Sequence, residues 1–176
     1  MIKRLLPSLL AESIYDIPAS FYLSRGIKVI LTDLDNTLDD YRTKEPGDKA
    51  KNLVKSFKEN GISLFVASNN SSKRVRHYCE ELGIDYCGAL YKPFHYKLDA
   101  WIKKKGFRKE EVAFVGDQIF TDSISARGAK LFMILVEPFH PERDSPLTWL
   151  NRLLERPIRA KITKKHLVSG WKEAQE

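Results

Sequence analysis

Cysteine is scarce in this sequence, and its scarcity excludes two classes of small protein. Only Cys79 and Cys87 occur in 176 residues, with no Cys-x-x-Cys pair and no histidine near them at the spacing of a zinc site. A disulfide scaffold needs more cysteines, and a structural zinc site needs closely spaced cysteine or histidine ligands. We therefore expect two free thiols in a protein that stays in a reducing compartment.

Long apolar runs are also absent. No stretch approaches the roughly 18 apolar residues that a membrane-spanning helix needs. The first ten residues begin with a basic pair, but their apolar part is too short and too interrupted for a secretory signal. We therefore expect a cytoplasmic protein, with a peripheral position at the inner face of the membrane as a further option.

Internal repeats and low-complexity segments are missing, and the composition is that of a globular protein. Hydrophobic residues make up 43% of the chain and charged residues 30%, which disfavours disorder. The length fits a single domain over residues 1–176. We divide it into a core of about 27–137, an amphipathic N-terminal segment, 1–25, and a basic C-terminal helix and tail, 139–176.

Positive charge is concentrated near the C-terminus. The net charge is +7, and residues 147–172 contain seven basic residues against one acid, Glu155. Such a region favours an anionic partner, an acidic phospholipid surface or nucleic acid, although a tail kept basic for solubility has the same composition. Nucleic acid is the weaker candidate, because no interleaved aromatic residues offer to stack on its bases. The basic residues are Arg152, Arg156, Arg159, Lys161, Lys164, Lys165 and Lys172.

Both ends of the chain carry apolar residues at helical spacing. The N-terminal ones predict a short amphipathic element that packs on the core, or lies on a membrane with Lys3 and Arg4 at the headgroups. Near the C-terminus, residues 147–154 predict an amphipathic helix that Pro157 ends, followed by a less ordered basic remainder. The N-terminal apolar positions, broken by prolines 7 and 18, are Leu5, Leu6, Leu9, Leu10, Ile14 and Tyr15.

Five short apolar stretches alternate with segments of helical periodicity. They lie at residues 29–31, 62–67, 86–90, 112–115 and 131–136. Helices are predicted from Asp48 to Gly61, from Ser71 or Ser72 to Gly83, up to Gly106, and briefly before Gly128. This alternation predicts an α/β fold, a three-layer Rossmann-like parallel sheet. The third helix is predicted from the apolar stripe Phe94, Leu98, Trp101 and Ile102.

Polar side chains follow four of these stretches where each predicted strand ends. Because the carboxyl ends of parallel strands meet at one edge of a sheet, we expect these side chains to lie together. Carboxylates buried there destabilise the fold unless a cation meets them. Oxygen ligands from a few acids are how Mg²⁺ is usually held, so the pattern predicts a site for Mg²⁺ and a phosphoryl group. The residues are Asp33, Asp35, Ser68, Lys92, Asp117 and Asp122.

These residues resemble the four motifs of the haloacid dehalogenase (HAD) superfamily, in the same order, over about residues 27–137. Ser68 matches the second motif and Lys92 the third. The first motif, DxDxT, is matched by Asp33-Leu34-Asp35-Asn36-Thr37. The fourth, GDxxxxD, is matched by Gly116-Asp117-Gln118-Ile119-Phe120-Thr121-Asp122. The resemblance implies the HAD core fold and a phosphatase that works through an aspartyl-phosphate intermediate.

The resemblance also implies a role for each residue. Asp33 would be the nucleophile. Asp35 would protonate the leaving oxygen and then deprotonate the water that hydrolyses the intermediate. The phosphoryl oxygens would be bound by Ser68, Asn69 and Lys92. The Mg²⁺ cofactor would be held by Asp33, by Asp35 through its main-chain carbonyl, by Asp117, and by Asp122 directly or through water.

The spacing between motifs leaves no room for the cap domain that HAD enzymes often carry. Nine residues, 39–47, separate the first motif from the first helix, and 23 lie between Ser68 and Lys92. A capless, open site suits a phosphate on something large or on a surface. The wording of the motifs is most similar to subfamily IIIA and its YqeG-like branch, related to phosphatidylglycerophosphate phosphatases. The resemblance therefore implies that lipid as substrate, although Asp39-Asp40-Tyr41 departs from the expected apolar or aromatic continuation.

Other interpretations stay open. The same chemistry could act on a nucleic-acid end, a phosphoprotein or a small phosphorylated metabolite, and a receiver-like module would instead keep the phosphate on Asp33. A calcium loop is disfavoured, because Leu38 and Lys44 stand where an EF-hand has Gly and Glu. Asp122 could simply cap a helix or pair with Arg127. Five residues without partners at diagnostic spacing are interpreted as surface or supporting residues: Asp39, Asp40, His77, His95 and His140.

Overall fold

Six parallel strands form one sheet at the centre of the fold. The computed structural model describes residues 6–175. Its strands are β1 (Leu9–Ala11), β2 (Val29–Thr32), β3 (Ser63–Ala67), β4 (Tyr86–Cys87), β5 (Val112–Gly116) and β6 (Phe132–Val136). They lie in the order β1-β6-β5-β2-β3-β4, and every pair is parallel. The predicted Rossmann-like α/β fold is confirmed.

Two features of the sheet differ from the sequence prediction. β1 is an additional edge strand, too short at three residues to show a strand pattern of its own. β4 ends at Cys87 rather than at residue 90. Ala89 and Tyr91 have φ angles of 52° and 56°, in the left-handed region, so the chain turns out of the extended conformation before it reaches Lys92.

Within residues 6–175, six α-helices connect or flank the strands. They are α1 (Ala19–Ser24), α2 (Asp48–Glu59), α3 (Lys73–Leu82), α4 (Tyr96–Lys104), α5 (Ile124–Gly128) and α6 (Pro146–Lys164). A π-helical turn, Ile119–Ser123, precedes α5. Ser72 caps α3, its Oγ accepting from the Val75 N–H, and Gly83 ends that helix with a φ of 64°. Phe94 is 60% exposed and lies before α4, so its predicted place in the apolar stripe of that helix is wrong.

The core lies on both faces of the sheet. Neighbouring strand residues point to opposite faces, so Ile30 joins one apolar cluster and Leu31 the other. The first cluster contains side chains from α1, α2 and α3, and the second from α4, α5 and the C-terminal part of α6. Phe57 is 1% exposed in the first cluster, and its replacement by Ala is expected to destabilise the fold by about 3–5 kcal/mol. The central strands are therefore fixed from two sides.

The N-terminal segment packs on the core, the first of the two options that its sequence allowed. The segment consists of β1, a 3₁₀ turn at Ile14–Asp16, and α1. Leu9 and Ile14 are buried in the first cluster. Leu5, with the basic pair Lys3 and Arg4 proposed to meet headgroups, lies outside the described residues.

The C-terminal prediction needs correction. Pro157 does not end α6, which runs from Pro146 to Lys164 with Pro157 inside it. Proline removes one backbone hydrogen bond, but Ile158 and Ile162 pack against the second cluster and hold the following turns. The residues after α6 are also held on the core, because the backbone N–H of Trp171 donates to the Leu10 carbonyl and the Trp171 ring lies edge-on to Phe21 at 5.7 Å.

Each helix within residues 6–175 is too short or too polar to cross a bilayer.

Candidate active site

The carboxyl ends of the strands deliver polar side chains to one cavity of about 280 Å³. Asp33, Ser68 and Asp117 each follow the last residue of a strand, β2, β3 and β5 respectively. Asp117 and Asp122 are fully buried, with 0% exposure. The predicted residues that line the cavity are Asp33, Asp35, Ser68, Asn69 and Lys92. The structure therefore brings the strand-end residues together, as their spacing predicts.

Lys92 is the central cation of the site. Its Nζ donates to Asp33 Oδ1 and to Asp122 Oδ1, both at 2.7 Å, and to the Ala67 carbonyl at 2.9 Å. A lysine ammonium has three donors, so all three are used. Burial alone would lower the pKa of Lys92. The carboxylates of Asp122 and Asp33 outweigh this effect and raise the pKa well above its ordinary value. Lys92 therefore stays charged, and it is the partner of Asp122 in place of Arg127.

Three buried carboxylates beside Lys92 form a candidate metal centre. One oxygen from each of Asp33, Asp117 and Asp122 lies within 4.8 Å of the others. Burial raises the pKa of Asp33, to about 8; Lys92 opposes this shift, and Asp122 and Asp117 add to it. Burial also raises the pKa of Asp117. Lys92 contacts Asp33 and Asp122, and Arg152 divides its charge between Asp117 and Asp144, so the acids outnumber the cations and a hard divalent cation with oxygen preference fits this donor set.

Gly116 makes room for the carboxylate of Asp122. A Cβ placed on Gly116 would lie 2.5 Å from the Asp122 Cγ and Oδ2 atoms. The Gln118 N–H donates to that same Oδ2 at 3.0 Å and fixes the carboxylate over the glycine. The glycine of the fourth motif thus has a steric reason, because any side chain there would push Asp122 away from Lys92.

Asp35 stands apart from the carboxylate cluster. Both of its oxygens accept from Arg74 Nη2, at 2.6 and 2.8 Å, and Arg74 Nη1 donates to the Thr43 carbonyl at 2.9 Å. Arg74 belongs to α3 and escaped the sequence analysis, because an exposed-looking arginine in an amphipathic helix carries no motif. Its contacts hold the Asp35 side chain at the cavity. Metal binding by Asp35 through its carbonyl stays a prediction.

Ser68 and Asn69 form another part of the cavity lining, with different side-chain contacts. Ser68 Oγ accepts from the Asn70 N–H at 3.0 Å, which leaves its own hydroxyl hydrogen available. The Asn69 amide is committed to the backbone of Lys92: its Oδ1 accepts from the Lys92 N–H at 2.6 Å, and its Nδ2 donates to the Lys92 carbonyl at 3.1 Å. Asn69 therefore positions Lys92, and the binding of phosphoryl oxygens by Asn69 and Ser68 stays a prediction.

The first half of α6 forms a further wall of the cavity, which sequence reasoning missed. Arg152 Nη2 donates to Asp117 Oδ2 at 2.5 Å, and its Nε donates to Asp144. Asn36, whose φ is 63°, donates from Nδ2 to Asp144 Oδ1 at 2.5 Å. Arg159 donates to the Asp117 carbonyl. The sequence analysis assigned both arginines to the basic region that favours an anionic partner. In the structure, the side chains of both arginines instead bind Asp117.

Glu155 ties α6 to the fourth motif. It is fully buried, and its Oε1 accepts from the Phe120 N–H at 2.7 Å, in the π-helical turn that leads to Asp122. Burial raises the pKa of Glu155, and this backbone donor opposes the shift. The signal available in the sequence is the spacing of Thr148, Arg152, Glu155 and Arg159, which places polar side chains on one helix face.

Four of the residues interpreted as surface or supporting residues have contacts outside the cavity. Asp39 accepts from the Tyr78 hydroxyl at 2.9 Å and Asp40 pairs with Arg143 at 2.5 Å. His95 and His140 are half exposed and face Asp99 and Glu142. They are absent from the lining of the 280 Å³ cavity.

Comparison with known proteins identifies the class. Residues 20–130 match the family of haloacid dehalogenase-like hydrolases. The chain belongs to this family, and the resemblance seen in its motifs is confirmed. The predicted enzyme class, a phosphatase of this family, and the Mg²⁺ cofactor are confirmed with it, the latter also by the buried carboxylate cluster.

Among individual proteins, the chain is similar to the probable phosphatase YqeG of Bacillus subtilis. The two are 30% identical over 174 residues, which cover 98% of this chain and 100% of YqeG. The fold is similar to that of the deoxy-D-mannose-octulosonate 8-phosphate phosphatase YrbI of Haemophilus influenzae: TM-score 0.51, 20% identity, 62% of this chain and 68% of that one. It is also similar to an uncharacterized protein of Listeria monocytogenes, with TM-score 0.53, 16% identity, and coverage of 62% and 78%. These structures show the fold alone.

Proposed function

We propose that this phosphatase removes the terminal phosphate of phosphatidylglycerophosphate at a membrane surface. The observation that carries the proposal is an apolar side chain at the rim of the cavity. Leu147 and Thr148 of α6 line the cavity, and Leu147 is at the same time 70% exposed to solvent. Within the described residues, 39–47 contain no helix or strand, and the interval from Ser68 to Lys92 holds only α3 and β4. An uncapped, leucine-bordered opening suits a phosphate carried on an apolar molecule.

The proposed reaction needs two carboxyl groups, Asp33 as the nucleophile and Asp35 as the proton donor and acceptor. An oxygen of Asp33 attacks phosphorus, the bond between phosphorus and the glycerol oxygen breaks, and Asp35, which must enter this step protonated, gives its proton to that departing oxygen. Water then attacks the phosphorus on Asp33 and gives a proton to Asp35, which releases inorganic phosphate and restores the Asp33 carboxylate. Lys92, whose Nζ donates to Asp33 Oδ1 at 2.7 Å, would offer positive charge to the phosphoryl oxygens.

Mg²⁺ would be held by Asp33, Asp117 and Asp122, with the Asp35 carbonyl as the further ligand that the resemblance implies. When bound, the ion offsets the repulsion between an anionic nucleophile and an anionic substrate. Arg74 keeps the Asp35 carboxylate at the cavity, where a proton donor and acceptor is needed. Ser68 offers its hydroxyl to the same space.

A phosphate-release panel tests both substrate and chemistry. The protein is assayed with Mg²⁺ and with EDTA on phosphatidylglycerophosphate in detergent micelles, a sugar phosphate, an end-phosphorylated oligonucleotide and a phosphopeptide. We expect the lipid to be preferred by at least about 100-fold in kcat/KM, and EDTA to abolish activity. A clear preference for another substrate would refute the lipid assignment.

The nucleophile is tested in the same assay. Asp33→Asn is expected to lower kcat by at least about 10⁴-fold. Asp85→Asn is the matched control, because Asp85 is an exposed acid that pairs with Lys105 and does not line the cavity. Full activity of Asp33→Asn would overturn the mechanism. Phosphate that stays on Asp33 for hours without turnover would instead favour the receiver-like interpretation.

A further inference from the structure

The first half of α6 has its polar face turned inward and its apolar face turned outward. Arg152 and Glu155 contact the site, and the large apolar side chains of the same turns are exposed. A surface helix of a globular protein shows the opposite arrangement. The exposed residues are Leu147 (70%), Trp149 (56%), Leu150 (45%), Leu153 (43%) and Leu154 (55%). We call these five residues the leucine face.

The inward turn of the polar side chains is fixed by named contacts. Arg152 is bound to two buried carboxylates, Asp117 and Asp144, and the Glu155 carboxylate to a backbone N–H. Rotating the helix to bury the leucines would break these contacts and leave the carboxylates unpaired. The exposure of the leucine face is therefore a consequence of the site. Contiguous exposed apolar side chains of this kind mark an interaction surface.

The outer surface of the second half of α6 is basic. Its exposed residues include Arg156, Lys161 and Lys164, and Lys165 follows as the C-cap. Arg156 pairs with no acid within the described residues, in contrast to Arg152 and Arg159. Along one helix, the outer surface thus passes from apolar, beside the cavity, to cationic, away from it. The four residues Arg156, Lys161, Lys164 and Lys165 form the basic end.

We propose that the outer surface of α6 docks on an anionic phospholipid surface, with the leucine face in the boundary between headgroups and acyl chains. The basic end then lies against anionic headgroups. Charge complementarity selects this occupant, because an apolar patch continued by unpaired cations matches an anionic interface, and a second copy of the chain would bring the same cations together. Trp149 suits the same boundary, where an apolar ring with a polar N–H is favoured.

Docking in this orientation brings the cavity to the lipid. Leu147 belongs to the leucine face and also lines the 280 Å³ cavity with Asp33 and Lys92. A phosphorylated headgroup would enter beside Leu147 while its acyl chains stay in the bilayer. The inference deepens the proposed function and rests on it, because only a membrane-borne substrate gives the docked orientation its use.

The test is co-sedimentation with vesicles that contain no phosphorylated substrate. The full chain is mixed with phosphatidylcholine vesicles, with and without phosphatidylglycerol. We expect binding to the phosphatidylglycerol vesicles, weakened by salt. Leu150→Ser with Leu154→Ser, and separately Lys161→Gln with Lys164→Gln and Lys165→Gln, are each expected to weaken this binding on the order of tenfold or more.

Matched controls lie on other elements. Leu23→Ser removes an exposed leucine of α1, 41% exposed, and Lys51→Gln with Lys55→Gln and Lys58→Gln removes three exposed lysines of α2. Both are expected to bind like the unchanged protein. Hydrolysis of a soluble aryl phosphate should be unchanged in every variant, which shows that each one folds, since none of the substituted residues lines the cavity.

Three results would overturn the docking surface. They are the absence of binding to phosphatidylglycerol vesicles, undiminished binding by the Leu150 and Leu154 double variant, and a dimer in solution that this double variant converts to a monomer. Failure of the proposed function looks different. Phosphate release from phosphatidylglycerophosphate in detergent would then be absent while vesicle binding persists.

Discussion

The two walls of the cavity differ in what holds them in place. The strand wall consists of Asp33, Ser68 and Lys92 together with the buried Asp117 and Asp122. Asp33 and Asp117 directly follow β2 and β5, in which every residue is buried. The helix wall is the side of α6 that carries Leu147, Thr148 and Asn151, which line the cavity, and of the whole helix only Glu155 and Ile162 are buried. The strand wall thus rests on packed apolar strands, whereas the helix wall is attached mainly through ion pairs and hydrogen bonds.

This difference predicts different responses to mutation. Opening the strand wall requires the central sheet to separate, so its stability should follow global unfolding. The helix wall can lift away and let water reach its charged contacts, with local unfolding as the result. Substitutions in the strand wall should therefore lower the free energy of unfolding more than equivalent changes in the helix wall.

The largest effect is expected for Lys92→Met. Two buried carboxylates, Asp33 and Asp122, would lose the cation that both contact. Breaking a buried pair by removing one partner costs about 3–5 kcal/mol, measured here as the free energy of unfolding in urea without metal. Lys97→Met, at an exposed lysine, should change it by less than about 0.5 kcal/mol. Equal effects of the two variants would contradict the central role of Lys92.

Gly116→Ala is expected to have the next largest effect. The new Cβ would meet the Asp122 carboxylate at 2.5 Å, and overpacking of this kind costs about 1–3 kcal/mol. Because Asp122 would move, Mg²⁺ should also bind more weakly in isothermal titration calorimetry. Gly47→Ala is the control, since nothing lies within 4 Å of a Cβ there and its φ is negative. Unchanged Mg²⁺ affinity in Gly116→Ala would remove Asp122 from the metal centre.

Arg152→Met tests the helix wall. It should lower the free energy of unfolding by only about 1–2 kcal/mol, because α6 can open and solvate Asp117 and Asp144. Mg²⁺ should bind several-fold more tightly, since one positive charge leaves a proposed ligand. Arg156→Met, an exposed arginine on the same helix, should leave both quantities unchanged. Weaker Mg²⁺ binding would show that Arg152 is needed to orient Asp117.

The contrast between the walls also explains what could be predicted from the sequence. Most of the strand wall was accessible because a buried strand followed directly by an acid or a serine places that side chain at a known edge of the sheet. The helix wall could not be predicted, because the sequence does not show whether Arg152 and Arg159 face solvent or a buried carboxylate. Pro157 misled for a related reason: packing of Ile158 and Ile162 outweighs the one hydrogen bond that proline removes. Tertiary contacts decided these positions, and the local pattern does not contain them.

The smallest effect is expected at the two buried thiols, Cys79 in α3 and Cys87 in β4. Burial raises the pKa of Cys79 to about 12 and that of Cys87 to about 11, so both should react slowly with iodoacetamide at pH 8. Because the folded state holds these protons more tightly than the unfolded state, the contribution of the two thiols to the free energy of unfolding is fully present below pH 9.0, the ordinary pKa. It is lost as pH rises from 9.0 towards the raised folded-state pKa values. In Arg152→Met the alkylation rates should rise by only about 5–30-fold, in proportion to the loss of about 1–2 kcal/mol in the free energy of unfolding, because loosening the helix wall by itself leaves the sheet closed. Lys92→Met should speed alkylation in proportion to its larger unfolded fraction. Equal acceleration in both variants would show that the two walls open together.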